Sequence, residues 1–272
     1  MRHDRESNSR AQHTGDEGSS RVGYVPCPVK STGGRFDVGW TWFFCIFGAY
    51  LVGSIPFGVV IGRFKGIDIR EHGSRNIGAT NVGRVLGRRW GLLCFALDMG
   101  KGAIPVVVAG LLTDTIGRNP VDTPTASLWL WLLVAIAAFC GHMYSMFLNF
   151  SGGKGVATAF GVLLAMWPIL TIPALVGLCV WVATLLTIRI ISVSSMVAAV
   201  SIPIVTLIVL QWFGSRAGGD VTTGELLMRG SAPLAITIAI AMLILWRHRA
   251  NIRRLLNGEE PTIRRAPSKS AE

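Results

Sequence analysis

The placement of charge limits this chain more than any other feature. Residues 38–62, 123–153, 155–188, 190–215 and 230–246 contain no Asp, Glu, Lys or Arg. About 20 apolar residues of helix cross a bilayer core, and most of these runs are longer than that. Hydrophobic residues make up 51% of the 272 and charged residues 15%, which excludes a disordered chain. The runs are continuous and do not alternate, which argues against an outer-membrane barrel. The sequence therefore reads as an all-α polytopic membrane protein.

Spans are expected at 39–62, 90–112, 127–149, 156–169, 171–187, 191–212 and 231–247. Residues 1–37 are rich in Ser, Gly, Arg and Asp and read as a disordered polar tail. The first apolar run starts at Val38 and is too long for a cleaved signal segment, so it reads as a retained span. Residues 155–188 would make a helix of roughly 50 Å at ~1.5 Å per residue. Pro168 and Pro173 are expected to turn the chain there and divide it into two short spans.

Charge asymmetry favours seven spans over six. With seven, the basic 63–89 loop shares a side with Lys154, Arg189 and the C-terminal Lys/Arg, 16 in all, against Arg118, Arg216 and Arg229 opposite. With six, the same residues divide ten against nine. The expected layout is a tail over 1–37, a seven-helix domain over 38–254, and a basic cytoplasmic C-terminal tail over 255–272. The C-terminus is then cytoplasmic, and the N-terminal tail carries six Lys/Arg outside.

The formal charge of +11 fits that topology better than a nucleic-acid interface, because the basic residues sit in short loops and at the C-terminus. Cys45, Cys94, Cys140 and Cys179 lie inside apolar runs, and Cys27 is isolated in the tail. Neither metal spacing nor a disulfide framework is present.

Three polar clusters fall on the expected cytoplasmic face. The first runs from His72 through Gly73, Ser74, Arg75, Asn76, Ile77, Gly78, Ala79 and Thr80 to Asn81, with Arg84 beyond. Small polar residues with glycines can turn backbone N–H groups toward an anion, and arginines add bidentate charge; an ordinary solvated loop uses the same residue types. The second, Ser151-Gly152-Gly153-Lys154-Gly155-Val156-Ala157-Thr158, leads into an apolar helix. Backbone donors, a helix N-terminus and a lysine make a phosphate site without being a Walker A loop, since Gly155 follows Lys154. The third is Trp246 to Arg254, where His248 and Asn251 share a helix face; a basic helix end also anchors many membrane proteins.

Asp98 and Lys101 lie inside a span, where ionisable groups face either a partner or a polar cavity. They are an ion pair that holds the helix or a substrate contact. His142 reads as a hydrogen-bonded packing residue. Trp40, Trp42, Trp129, Trp131, Trp212 and Trp246, near span ends, read as an interfacial belt. No His is followed five residues later by Asp, the spacing of acyl-CoA-dependent glycerolipid acyltransferases. GxSxG and HExxH are also absent.

Several linked motifs occur in order: Gly53-Ser54-Ile55-Pro56-Phe57-Gly58, the 72–82 cluster, Asp98 with Lys101-Gly102, Gly152 to Thr158, and His248-Arg249 with Asn251-Ile252 and Asn257-Gly258. Over roughly 39–261 the chain resembles the PlsY family, the bacterial acyl-phosphate:glycerol-3-phosphate acyltransferases. The resemblance implies seven transmembrane helices in the plasma membrane with a cytoplasmic site and no cofactor. It also implies acyl transfer from acyl phosphate to the 1-hydroxyl of glycerol 3-phosphate, giving lysophosphatidic acid in phospholipid biosynthesis. The implied partners are those two substrates, membrane lipid and an acyl-phosphate-forming enzyme that supplies the donor, with no nucleic acid.

Carried over, the resemblance places Ser74, Arg84, Lys154, His248 and Asn251 in the active site. The substrate contacts expected around them are Asn76, Gly78, Thr80, Asn81, Gly152, Gly153, Gly155, Asp98 and Lys101. Two residues depart from the family pattern: Arg75 stands where Gly is frequent, and Ala250 where Glu is frequent. The general base is either His248 or a substrate phosphate oxygen. A transporter for an anionic solute is the rival reading, but it needs matching polar chemistry on both faces, and here it crowds one. A scaffold binding anionic lipid through the C-terminal arginines would leave the first two clusters without purpose.

Overall fold

The computed structural model describes residues 38–118, 123–216 and 223–262. The expected tail over 1–37, and residues 263–272 of the expected C-terminal tail, lie outside the described residues. The described residues form helices joined by turns. The helices are α1 (Val38–Ser54), α2 (Phe57–Phe64), α3 (Ala79–Leu86), α4 (Arg88–Leu112), α5 (Thr125–Met143), a 3-10 turn (Met146–Leu148), α6 (Val156–Ala165), α7 (Thr171–Ile188), α8 (Ile191–Arg216), α9 (Thr223–Arg247) and α10 (Arg249–Leu256).

Six segments are long and apolar enough to cross a membrane: Gly39–Phe64, Arg88–Leu112, Thr125–Leu148, Thr171–Ile188, Ile191–Gly214 and Gly230–Arg247. The expected division of 155–188 is present, with α6 ending at Ala165 and α7 starting at Thr171. As a helix of 10 residues, α6 is only about 15 Å long, half a hydrocarbon core. Phe44, Phe47, Leu111, Leu186, Ile204, Ile208 and Met242 are exposed on the bundle, the arrangement lipid contact requires.

Helices α1 and α5 pack closely because small residues line their crossing. A Cβ on Gly53 would lie 2.1 Å from the Ala138 carbonyl oxygen, and one on Gly141 would lie 2.4 Å from that of Tyr50. Such contacts let backbones approach where no hydrophobic effect drives helices together. Helix α5 is central: Trp131, Phe139 and Val134 are fully buried. The expected interfacial belt is therefore corrected. Trp40, Trp129, Trp212 and Trp246 are exposed, but Trp42 and Trp131 are core residues. The indole N–H of Trp131 donates to the Val106 carbonyl at 2.8 Å, which satisfies its polar atom inside the bundle.

Pro56 ends the α1 ladder inside the first spanning segment, which leaves carbonyls unpaired in a dry environment. Side chains from α4 and from the turn after α5 satisfy them. Ser145 Oγ donates to Ser54 O at 2.5 Å, and Lys101 Nζ donates to Ile55 O at 2.7 Å. At the far end of the bundle the Gly117 N–H donates to Trp167 O at 2.9 Å, so the α4–α5 connection meets the α6–α7 turn.

Candidate active site

The first cluster is folded by Asn81. Its Oδ1 accepts from the Ser74 N–H at 2.7 Å, and its amide donates to Ile69 O at 3.1 Å and His72 O at 3.0 Å. With its oxygen and both amide hydrogens engaged, Asn81 shapes the loop and has no free donor for a substrate. Asn76 Oδ1 accepts from the Gly78 N–H at 2.9 Å, an Asx turn that starts α3. Ser74 and Thr80 remain exposed. Arg75 has φ 58, in the left-handed region that glycine occupies freely. That conformation is a physical reason for glycine to be frequent at this position.

The second cluster lies on α5. A Cβ on Gly153 would come 2.2 Å from His142 Nε2, and the Gly153 N–H donates to His142 O at 3.2 Å. Gly155 has φ 79 and abuts the Phe139 ring, so a side chain there would meet both strain and a clash. From above, Arg247 donates to Gly152 O at 2.5 Å and Gly153 O at 2.9 Å. The loop is thus held between α5 and the end of α9. A cleft of about 210 Å³ separates the first two clusters, with Arg70, Arg75, Asn76 and Ile77 on one wall and Leu148, Ser151 and Gly152 on the other.

Clusters two and three meet directly. Lys154 Nζ donates to Asn251 Oδ1 at 2.6 Å, across 97 residues of sequence. Burial, together with the charges of Arg254, Arg84 and Arg247, pulls the Lys154 ammonium down to about 8; Glu260 opposes that pull. Arg84 is therefore near this centre, on an exposed position in the last turn of α3. His248 is buried, and its Nδ1 lies 2.8 Å from Ile244 O. A carbonyl only accepts, so Nδ1 carries the proton and Nε2 keeps its lone pair. Burial and then the Lys154 charge hold this imidazole down to about 4, so it is neutral at physiological pH.

Two participants, Glu260 and Ser192, were not visible in the motifs. Glu260 Oε1 accepts from Asn251 Nδ2 and from Ser192 Oγ, each at 2.6 Å, and its Oε2 accepts from Arg254 Nε at 2.8 Å. Burial raises the Glu260 carboxyl, but the hydrogen bonds from Ser192, Asn251 and Arg254 outweigh it and keep the group below its ordinary range. Glu260, within the stretch expected as tail, thus reaches the site. An adjacent acidic pair, Glu259-Glu260, within a predominantly basic C-terminal stretch was the available signal.

Asp98 and Lys101, expected as substrate contacts, are 2% and 3% exposed and pair at 2.8 Å. Their other polar neighbours include His142, whose Nδ1 is 3.7 Å from Asp98 Oδ1, the Cys94 thiol, which donates to Asp98 Oδ2 at 3.7 Å, and the Ile55 carbonyl. This cluster lies within the bundle, below the glycine loop, with Thr158 Oγ1 donating to Asp98 O at 2.9 Å. Among the described residues no group of three His, Cys, Asp or Glu side chains could hold a metal.

The arrangement offers an ammonium, nearby guanidinium groups and a neutral imidazole with an open nitrogen. It suits stabilisation of developing negative charge on a phosphate or oxyanion beside a group able to accept a proton. Comparison with known proteins agrees. Residues 43–258 match the glycerol-3-phosphate acyltransferase family. A glycerol-3-phosphate acyltransferase from Aquifex aeolicus (strain VF5) is 39% identical over 217 residues, 80% of this chain and 96% of that protein. One from Anaeromyxobacter sp. (strain K) is 43% identical over 216 residues, 79% and 93% of the two chains. The crystal structure of PlsY, an integral membrane glycerol 3-phosphate acyltransferase, in its glycerol 3-phosphate form matches with a TM-score of 0.66 at 38% identity, covering 82% of this chain and 96% of that one. Its lysophosphatidic acid form matches with a TM-score of 0.65. This chain belongs to the glycerol-3-phosphate acyltransferase family.

Proposed function

We propose that this acyltransferase uses acyl phosphate as donor and the 1-hydroxyl of glycerol 3-phosphate as acceptor, releasing 1-acyl-glycerol 3-phosphate and phosphate. The observation that carries the reading is the Lys154–Asn251 contact, which brings the glycine loop and the C-terminal motif together beside neutral His248. The related PlsY structures in glycerol 3-phosphate and lysophosphatidic acid forms support the acceptor and product. In the proposed step the acceptor hydroxyl oxygen attacks the acyl carbonyl carbon, and the bond from that carbon to the phosphate oxygen breaks. The hydroxyl proton passes to His248 Nε2 or to a phosphate oxygen. Arg84 and Lys154 neutralise the departing phosphate, Ser74 and Asn76 border the donor, and Asn251 orients the acceptor. An acyl phosphate is already activated, so positioning and charge stabilisation suffice.

Seven crossings with a cytoplasmic site complete the proposal. Lys154 and Ser192 are joined at one end of the bundle through Asn251 and Glu260, whereas Trp167 meets Gly117 at the other. The chain between 155 and 191 therefore goes out and back, with α6 and its turn as one limb and α7 as the other. That course supports an odd number of crossings and gathers the basic loops on one face, which the positive-inside rule makes cytoplasmic in a bacterial plasma membrane. We further propose that Asp98 and Lys101 hold this framework, and that the donor comes from an acyl-phosphate-forming enzyme.

The test is product formation from labelled glycerol 3-phosphate with palmitoyl phosphate or palmitoyl-CoA. Lysophosphatidic acid from palmitoyl phosphate alone is expected. Product from palmitoyl-CoA alone would refute the donor assignment, and a palmitoyl group found on Ser74 by mass spectrometry would refute direct transfer.

A further inference from the structure

We infer that Glu260 is a positioning residue of this site: its carboxylate anchors the Asn251 amide with the oxygen facing Lys154, and it places a negative charge among the cations around that lysine. The inference rests on the proposed acyl transfer for its kinetic consequence, but not for its geometry.

Glu260 reaches the site because the chain reverses after α10. Gly258 has φ 74, and the Glu259 N–H donates back to Arg254 O at 2.8 Å. The side chain of Glu260 is 6% exposed, although it lies among the last described residues. Its three donors are Ser192 at the start of α8 and Asn251 and Arg254 on α10. The carboxylate therefore ties two helices and the C-terminal turn to one point.

The Asn251 amide is oriented by chemistry on both sides. A carboxylate only accepts, so Nδ2 must face Glu260; an ammonium only donates, so Oδ1 must face Lys154. Each neighbour excludes the flipped amide. Without Glu260 one of the two constraints is lost, and Nδ2 has a buried donor to satisfy elsewhere.

The same carboxylate sets the charge balance. The groups acting on Lys154 are Arg84 from α3, Arg247 from α9, Arg254 from α10, neutral His248, and Glu260. Burial and the three arginines favour the neutral amine, and Glu260 opposes them. Removing its charge leaves burial and the three arginines opposed by the Asn251 hydrogen bond without the carboxylate, so the midpoint moves further below its present position of about 8. A lysine that loses its proton near neutral pH stops neutralising phosphate as pH rises.

The test uses full-length protein in detergent. The pH dependence of Lys154 acetylation by acetic anhydride, read by peptide mass spectrometry, gives its midpoint without any turnover. In Glu260→Gln the midpoint is expected about one unit lower than in wild type, with a smaller shift in the same direction for Glu260→Asp. Transfer should fall about fivefold at pH 8 in Glu260→Gln and recover toward the wild-type rate near pH 6.5, because added protons restore the ammonium. An unshifted midpoint in folded Glu260→Gln overturns the inference. So does an equal loss of rate at every pH, which marks a purely structural role, or a gain in rate, which marks a carboxylate competing with substrate phosphate. If Glu260→Gln does not fold, the shift in Glu260→Asp decides. An inactive wild type defeats the proposed reaction, and the acetylation midpoint still decides the inference.

Discussion

Two charged centres among the described residues differ in whether their charges close. Inside the bundle Asp98, Lys101 and His142 are nearly inaccessible; the carboxylate meets the ammonium at 2.8 Å, and the remaining lysine reach is used on the Ile55 carbonyl. At the membrane face the charges of Arg84, Arg247 and Arg254 act on Lys154, and the carboxylate of Glu260, paired with Arg254, opposes them. The inner cluster ties the break in the first spanning segment to α4 and α5. The outer one keeps excess positive charge. A closed ion set holds structure, whereas an open one has charge left for a ligand.

The sharpest way to break this contrast is to open the inner cluster. Lys101→Ala leaves Asp98 as an unpaired buried carboxylate, which costs about 3–5 kcal/mol. We expect loss of monodisperse protein on gel filtration, partly restored in an Asp98→Asn, Lys101→Met double variant. Wild-type thermal stability in the single variant would reverse the assignment. The opposite is expected outside: Lys154→Ala or Arg84→Ala should remain folded but lose about 100-fold or more in kcat/KM, as removal of a charge-stabilising donor does elsewhere. Near-normal transfer in either variant removes that residue from the chemistry.

Smaller effects sharpen the picture. Asn81→Ala leaves the Ile69 and His72 carbonyls and the Ser74 N–H without their partner, and about 1–3 kcal/mol of stability should be lost in a denaturation midpoint. The pH profile of wild-type transfer should fall as pH rises through about 8, because Lys154 has a depressed value and loses its proton there. His248 stays neutral down to about 4 and contributes no change in that window. A profile still rising through pH 9 would contradict this. Arg75→Gly should have the smallest effect, a gain of about 1 kcal/mol in stability from relief of the left-handed backbone, with little change in turnover.

Much of this was legible in sequence because membrane insertion writes itself as long uncharged runs, and because Lys154, His248 and Asn251 stand in unusual local surroundings. The turn between α6 and α7 was marked by Pro168. Other features depend on contacts between distant residues. Nothing local shows that Lys101 spends its ammonium on a proline-broken helix 46 residues away, or that Asn81 folds a loop instead of meeting a substrate. Trp131 looked interfacial from its place near a span end, but α5 is surrounded by other helices and its indole is buried. Glu260 was hidden because its partner Ser192 lies 68 residues earlier.

The most direct measurement is phosphate release from palmitoyl phosphate by wild-type protein and Lys154→Ala side by side, with and without glycerol 3-phosphate. The account predicts release from wild type only when glycerol 3-phosphate is present, one phosphate per lysophosphatidic acid, and about 100-fold less from the folded variant. Release independent of glycerol 3-phosphate, or equal in the two proteins, would contradict it.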